Sequence, residues 1–420
     1  MVDRWLKADK SLSVTIRNLL TLALLLPFGA SVSMAGDWPI WRGPDHNGIS
    51  QETNWQVDWP DDDPEVVWEA EIGIGFSSFA VAGNRVLTTG NADDHDTVWC
   101  FNADTGELFW KHSYEEPLDP KYYEGGTSAT PAIDGGVVYQ LSRRGKLFCL
   151  DLSTGEVKWE KNVQEETKAA LPDWGFAGSP LVHGELLILN VGGSGLALNK
   201  KTGEQVWFSD TDKAGYSTPL PFQTEDGATV GIFSSARDFV ARNLDNGDEM
   251  ARHKWLTKYG VNASDPIVSL PYVFLSSDYG KGCTLLDVSG GDPVEVYKNK
   301  ELQTQMNPAV LVDGYLYGCS GNESEKKVPL KCVEFATGET QWEYQGVGAG
   351  SVLAANGHLI VLSARGELMF APISAEEFEP VFMMQVLGGK CWTVPVLAHG
   401  RIYCRNAEGE VVCIDVRGKS

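Results

Sequence analysis

The sequence predicts an all-β protein, an eight-bladed β-propeller of four-stranded antiparallel blades, closed into a ring by an N-terminal strand. Three observations carry that expectation. A unit of four short apolar runs separated by turn residues recurs along the chain. Glycine reaches 45 and tryptophan 14 of 420 residues, which suits many short strands joined by tight turns. The last unit is one strand short, while a matching run stands unclaimed near the N-terminus.

Taken in chain order, residues 1–35 read as an export signal. Lys7, Lys10 and Arg17 precede the apolar run 19–28, and Ser33-Met34-Ala35 offers small residues at the −3 and −1 positions, so cleavage is expected after Ala35. The apolar run is short for a membrane span and no later one is long enough. No Cys precedes Cys100, which argues against an acylated cysteine at the cleavage site. The mature protein is expected to be exported, to the periplasm or cell envelope. Residues 36–64 are read as an extension packing on the propeller, and 65–420 as the propeller itself, with a monomer as the expected state.

The unit is clearest from Ser128 to Trp159: a small-Pro start, a strand, an Asp-Gly turn, a strand, an Arg-Gly turn, a strand, a Thr-Gly turn and a strand ending in Trp. Its start recurs at Ser78, Thr130, Ser179, Thr218, Asp265, Asn307, Ser351 and Val394, eight times at intervals of 39 to 52 residues. The third turn recurs at Gly106, Gly155, Gly203, Gly247 and Gly338, and more weakly at Gly290-Gly291. Closing aromatics follow at Trp110, Trp159, Trp207, Trp255, Tyr297, Trp342 and Phe382. Trp255 falls eight residues past its glycine instead of four, which predicts a bulge or extension. A seven-bladed count requires the seventh unit, without Thr-Gly and Trp, to be an insertion; eight is the expectation. Val66-Val67-Trp68 supplies the strand missing from the eighth unit and removes the exposed edges of an open array.

The eight cysteines read mostly as equivalent core positions, Cys100, Cys149, Cys332 and Cys413 sharing one context and Cys283 a similar one. The hairpin from Cys404 to Cys413 leaves a disulfide open as an alternative, if the chain folds about Glu408-Gly409.

These repeats, of the form Ala-x-Asp-Gly-x-Val-Tyr then Leu-Asp-x-x-Thr-Gly-x-x-x-Trp, resemble the pyrroloquinoline-quinone-like (PQQ-like) repeat. The opening Trp38-Pro39-Ile40-Trp41-Arg42-Gly43-Pro44 resembles a subgroup of exported PQQ-like propellers common in planctomycete-type bacteria. The resemblance spans about residues 37–416. It implies the fold and leaves function open, because the family holds quinoprotein alcohol dehydrogenases, an outer-membrane barrel-assembly lipoprotein and members without assigned activity.

The net charge of −23, with no basic stripe, excludes nucleic-acid binding. Strand direction places the segments before each start, and the second-turn loops, at one end of the ring, the top. The candidate ligand-binding residues there are Trp174, Phe176, Tyr216, Asn262, Asp265, Gln305, Asn307, Lys390 and Trp392, with Arg143 and Arg237 from the loops. No catalytic residue or metal site is expected. Gly-x-Ser-x-Gly, His-Glu-x-x-His and phosphate-loop patterns are missing, Asp93-Asp94-His95-Asp96 reads as a soluble turn, and His183, His358 and His399 read as solvated bottom turns.

A non-catalytic binding or scaffold protein is therefore expected, presenting its top face to a protein or small ligand and needing no cofactor. The resemblance supplies two alternatives. A PQQ-dependent alcohol (polyvinyl-alcohol-type) dehydrogenase implies PQQ with calcium: Trp174 or Trp392 would stack, Arg143 or Arg237 would take a carboxylate, and Asp265 with Asn262 would offer oxygen ligands. Against it stand the missing Cys-Cys pair and haem motif and the short chain. An outer-membrane protein assembly factor implies membrane-complex partners. Trp38, Trp41 and Arg42 are expected to clip the extension onto the blades.

Overall fold

Eight antiparallel sheets follow one another around an axis in the computed structural model, which describes residues 36–59, 63–224, 227–325 and 327–418. The expected signal sequence and its cleavage site lie outside these residues. Blade 1 comprises Ala80–Ala82, Arg85–Ala92, His95–Asn102 and Leu108–Glu115, each strand paired antiparallel with the next. Blades 2 to 7 occupy 132–162, 181–208, 220–254, 267–299, 310–344 and 351–385. Blade 8 takes Val396–Ala398, Arg401–Arg405 and Glu410–Asp415 from the C-terminal end and Val66–Glu71 as its outer strand. Trp68 lies opposite Cys413 in that pairing. One helix of five residues, Val163–Thr167, follows blade 2, and Asn162 caps it through Oδ1.

One device joins neighbouring blades, and it explains the turn glycine together with the closing aromatic. The Trp indole N–H donates to a carbonyl of the next blade: Trp68 to Ala103, Trp110 to Leu152, Trp159 to Lys200, Trp207 to Leu244 and Trp342 to Ser374, at 2.8–3.2 Å. Tyr297 does the same through its hydroxyl to Phe335 O, 2.9 Å. Except for Trp342, whose next blade has no turn glycine, the ring then lies on the next blade's turn glycine. At Gly247, φ is +77°, and a Cβ would stand 2.7 Å from the Trp207 ring. Gly247→Ala is expected to cost about 1–3 kcal/mol, from left-handed backbone strain plus the displaced indole. Chemical denaturation reads that loss.

Trp255 departs from the expected role. The closing position of blade 4, four residues past Gly247, is Ala251, which lies opposite Ala241. Trp255 follows the strand at its other end, fully buried, and its indole N–H reaches Ser277 Oγ at 3.0 Å.

All eight cysteines are free and buried. Cys100, Cys149, Cys332 and Cys413 each face a closing Trp across the ladder. In blade 5 that place belongs to Leu285, and Cys283 stands opposite Asn299. The Cys404–Cys413 disulfide is excluded by register: Cys404 pairs with Val412 and Cys413 with Tyr403. The turn is wider than Glu408-Gly409, so the two cysteines lie one residue out of step and on opposite faces of the sheet.

Candidate functional site

At the start of the inner strands of blades 1 to 7, a small polar residue turns its side chain onto a neighbouring blade. Ser78 N–H donates to Thr130 Oγ1, Thr130 N–H to Ser179 Oγ, Ser179 N–H to Thr218 Oγ1, and Thr218 N–H to Asp265 Oδ1, at 2.8–3.0 Å. On the other side of the ring, Asn307 Nδ2 donates to Gly350 O and Trp392 O, Ser351 Oγ to Thr393 O, and Ser78 Oγ to Val394 O. This girdle is the physical content of the recurring start motif. It also sets the rim of a cavity of about 340 Å3 on the axis.

The floor of that cavity comes from outside the blades. Trp38 pairs with Val81 of blade 1, and Pro39 O accepts from Ile133 N of blade 2. Three residues later, Arg42 reaches Pro308 O and Ala309 O of blade 6, so the chain crosses the axis between them. It continues to blade 7, where Ile49–Ser50 pairs parallel with Ala354 and Ala355. At blade 8, Glu52 accepts from the His399 and Gly400 amides. His399 therefore holds this segment, with Nε2 2.8 Å from Asp37 Oδ1, and is not the solvated turn residue expected. Most of these contacts fall toward the first-turn ends of the inner strands. The segment plugs the bottom of the ring, and Trp41 projects into the axial cavity.

Trp41 Nε1 donates to Asp265 Oδ2 at 2.6 Å. Asp265 is 6% exposed. Burial lifts its carboxyl to about 6, although the nearby Arg42 charge and the Trp41 and Thr218 hydrogen bonds pull the other way. The Arg42 guanidinium is itself buried and spends its donors on the carbonyls of His46, Asn47, Pro308 and Ala309. Burial draws it down to about 10.

Aromatic rings form much of the wall. Phe76 stacks on Trp392 at 5.4 Å and meets Tyr123 at 5.5 Å, while Trp174 meets Tyr216 edge-on at 5.9 Å. Tyr279 holds the Gln305 amide through its hydroxyl, 2.8 Å. Of the residues expected from sequence, Trp174, Tyr216, Asp265, Gln305, Asn307 and Trp392 line the cavity.

The other five do not line it. Phe176 is buried in the core between blades 2 and 3. Asn262 Nδ2 is spent on Ser235 O and Trp255 O. Arg143 folds back onto Trp174 O and Leu118 O, beside Asp119. Arg237 is exposed away from the cavity. Lys390 sits 4.2 Å above the Trp392 ring, paired with Glu124 at 2.8 Å and Glu323 at 3.3 Å. Sequence reasoning missed Trp41 as a lining residue, and it missed the loop residues Tyr122 and Tyr123. The one available signal was aromatic density in both segments.

Beside the mouth, Asp96 turns inward from the acidic turn and is 1% exposed; Asn91 Nδ2 donates to it at 2.7 Å. Burial lifts its carboxyl to about 7, with Glu116 adding to the rise and Asn91, Arg143 and Tyr114 opposing it. A carboxyl raised above its unfolded value holds a proton in the folded chain that the unfolded chain has lost. Stability therefore falls as pH climbs from about 4 to about 7. Asp96→Asn keeps the Asn91 contact and is expected to raise stability at pH 8 by on the order of 1 kcal/mol while flattening that slope. Urea unfolding from pH 5 to 8 measures both. No group of three metal-capable His, Cys, Asp or Glu side chains is present among the described residues, and no helix among them is long and apolar enough to cross a membrane.

The family model described as outer membrane protein assembly factor BamB matches residues 94–344. Among solved structures, BamB from Moraxella catarrhalis is 15% identical with a TM-score of 0.61, covering 86% of this chain and 99% of that one. The quinohemoprotein alcohol dehydrogenase from Comamonas testosteroni is 14% identical with a TM-score of 0.70, covering 92% and 81%. A europium-containing methanol dehydrogenase is 13% identical with a TM-score of 0.66, covering 88% and 89%. At these identities the likeness is one of fold. None of the curated proteins matches in sequence.

Proposed function

The chain belongs to the PQQ-like repeat family whose model is described as outer membrane protein assembly factor BamB, and from that premise we propose that it is a non-catalytic binding propeller, exported to the periplasm or cell envelope, that captures a ligand in its axial cavity. One observation carries the reading: the chain's own N-terminal segment seals the ring from below, turning a channel into a blind, aromatic-walled pocket of about 340 Å3. Pockets of that size suit a small molecule or a single side chain of a partner.

The dehydrogenase alternative fits poorly on charge. PQQ is an aromatic tricarboxylate and needs free cations with an oxygen-ligated metal. Arg143 and Lys390 are committed to carbonyls and carboxylates, Lys121 stands 3.4 Å from Asp119, and the cavity lining itself carries the Asp265 carboxylate. Asn262, the expected partner of Asp265 in holding calcium, is turned into the backbone.

Thermal shift with a fragment library tests the proposal, comparing the wild type with Ala263→Trp, which fills the cavity. Fragments should stabilise only the wild type. Equal shifts in both, no binder at all, or dye reduction by alcohols after adding PQQ and Ca²⁺ would overturn it. A second reading, docking of a partner protein in outer-membrane assembly, is favoured by the family match itself. A photo-crosslinking residue at Tyr122, 97% exposed at the cavity mouth, would trap such a partner in envelope extracts.

A further inference from the structure

Asp265 has one more oxygen than its position requires. The equivalent start positions of blades 2, 3 and 4 hold Thr130, Ser179 and Thr218, and there a hydroxyl accepts the neighbouring amide. In blade 5 the same task falls to Asp265 Oδ1, which takes the Thr218 N–H at 2.8 Å. A serine or threonine would serve the ring equally well without burying a charge, a costly choice when no partner fully balances it. The second oxygen faces Trp41 and the cavity.

Nothing in the protein neutralises that charge by direct contact among the described residues. Arg42 stands near enough to be felt, but its hydrogen bonds go to four backbone carbonyls. A carboxylate can accept about four hydrogen bonds, and here two are made. The cavity that it shares is walled by Trp41, Phe76, Trp174, Tyr216 and Tyr279, with Gln305 and Asn307 as polar neighbours and Lys121, beside Asp119, in the loop lining. A cavity walled by aromatic rings that also holds a desolvated anion is complementary to a compact, weakly hydrated cation. An anionic guest is repelled by the charge, and a neutral one gains at most a hydrogen bond from it. The net charge of −23 adds long-range attraction of the same sign.

We propose that the axial cavity binds a small organic cation, an alkylammonium or quaternary ammonium, with its charged head against Asp265 and its alkyl shell on the surrounding rings. This rests on the binding reading above and names the ligand class of that same pocket. The wild-type burial of Asp265, which lifts its carboxyl to about 6, fits a site whose counter-ion arrives with the ligand.

Three probes of one shape isolate the charge: 2-hydroxyethyl-trimethylammonium, its neutral counterpart 3,3-dimethyl-1-butanol, and pivalate. Titrations followed by tryptophan fluorescence and calorimetry on the full chain should show the ammonium binding at least tenfold tighter than the alcohol, with pivalate weakest. Asp265→Ser, which keeps the hydroxyl acceptor used in blade 3, and Asp265→Asn should each lose at least tenfold for the ammonium while the alcohol stays within about twofold. Wild-type selectivity alone decides the matter if either variant fails to fold. Equal binding of all three probes, or ammonium affinity unchanged in the variants, overturns the cation class and leaves the binding pocket standing. Absence of binding by every probe and by the fragment library overturns both.

Discussion

Trp207→Ala is expected to destabilise the ring by about 3–5 kcal/mol, the range for truncating a large buried aromatic. The side chain does three jobs at one seam. Its ring covers Gly247 of the next blade, its indole N–H satisfies Leu244 O at 2.8 Å, and its edge meets Phe233 at 6.1 Å. Truncation removes the ring and leaves the Leu244 carbonyl without that donor, and Gly247 cannot close the gap because it has no side chain to move. Trp207→Phe should recover most of the packing but not the hydrogen bond, so its cost should be roughly 1–2 kcal/mol. Urea denaturation of the pair measures the split. Two variants with equal and small losses would show that the seam is held elsewhere.

The seam devices were legible because each is written within a few residues. Thr202-Gly203 sets a hairpin and Trp207 follows at a fixed spacing, so repetition alone reveals blade count and strand order. Exceptions arose where spacing alone misled. Trp255, a Trp near a turn, resembles a closing residue, whereas Ala251 occupies that place. Cys404 and Cys413 looked opposed because Glu408-Gly409 resembles a two-residue turn. The observed pairing of Arg405 with Val411 makes the loop longer.

The cavity was half legible for a related reason. A position just before an inner strand must lie near the axis, which places Tyr216, Asp265, Asn307 and Trp392 there whatever their neighbours do. Long side chains escape that rule. Arg143 starts beside the mouth and folds back onto two carbonyls, because a buried guanidinium needs acceptors more than it needs a view of the cavity. Trp41 is the converse. Its segment shows no repeat, and only contacts 224 residues apart in sequence, as with Asp265, put it on the axis.

The least legible residue carries the second large expectation. Arg405 is 0% exposed, and no carboxylate pairs with it among the described residues. Instead, its Nη1 reaches Ser77 O, Thr88 Oγ1 and Thr89 O at 3.2, 3.4 and 2.5 Å, its Nη2 reaches Gly73 O at 3.2 Å, and its Nε reaches Asn406 O at 3.3 Å. Burial pulls the guanidinium below its usual range, while these acceptors favour the charged form. Four of the five acceptors belong to blade 1 or the segment leading into it, whereas Arg405 ends the second strand of blade 8. One cation thus stitches the last blade to the first by backbone carbonyls, which no sequence pattern marks. Arg405→Leu removes every donor at once and is expected to cost about 3–5 kcal/mol, as when one partner of a buried charged network is lost. Arg405→Lys keeps the charge but not the planar fork, and should recover less than half of that. Hydrogen exchange gives the decisive readout: amides of 73–77 and 401–416 should lose protection first, before those of blades 3 to 5. Uniform loss around the ring would place the ring's weakest seam elsewhere.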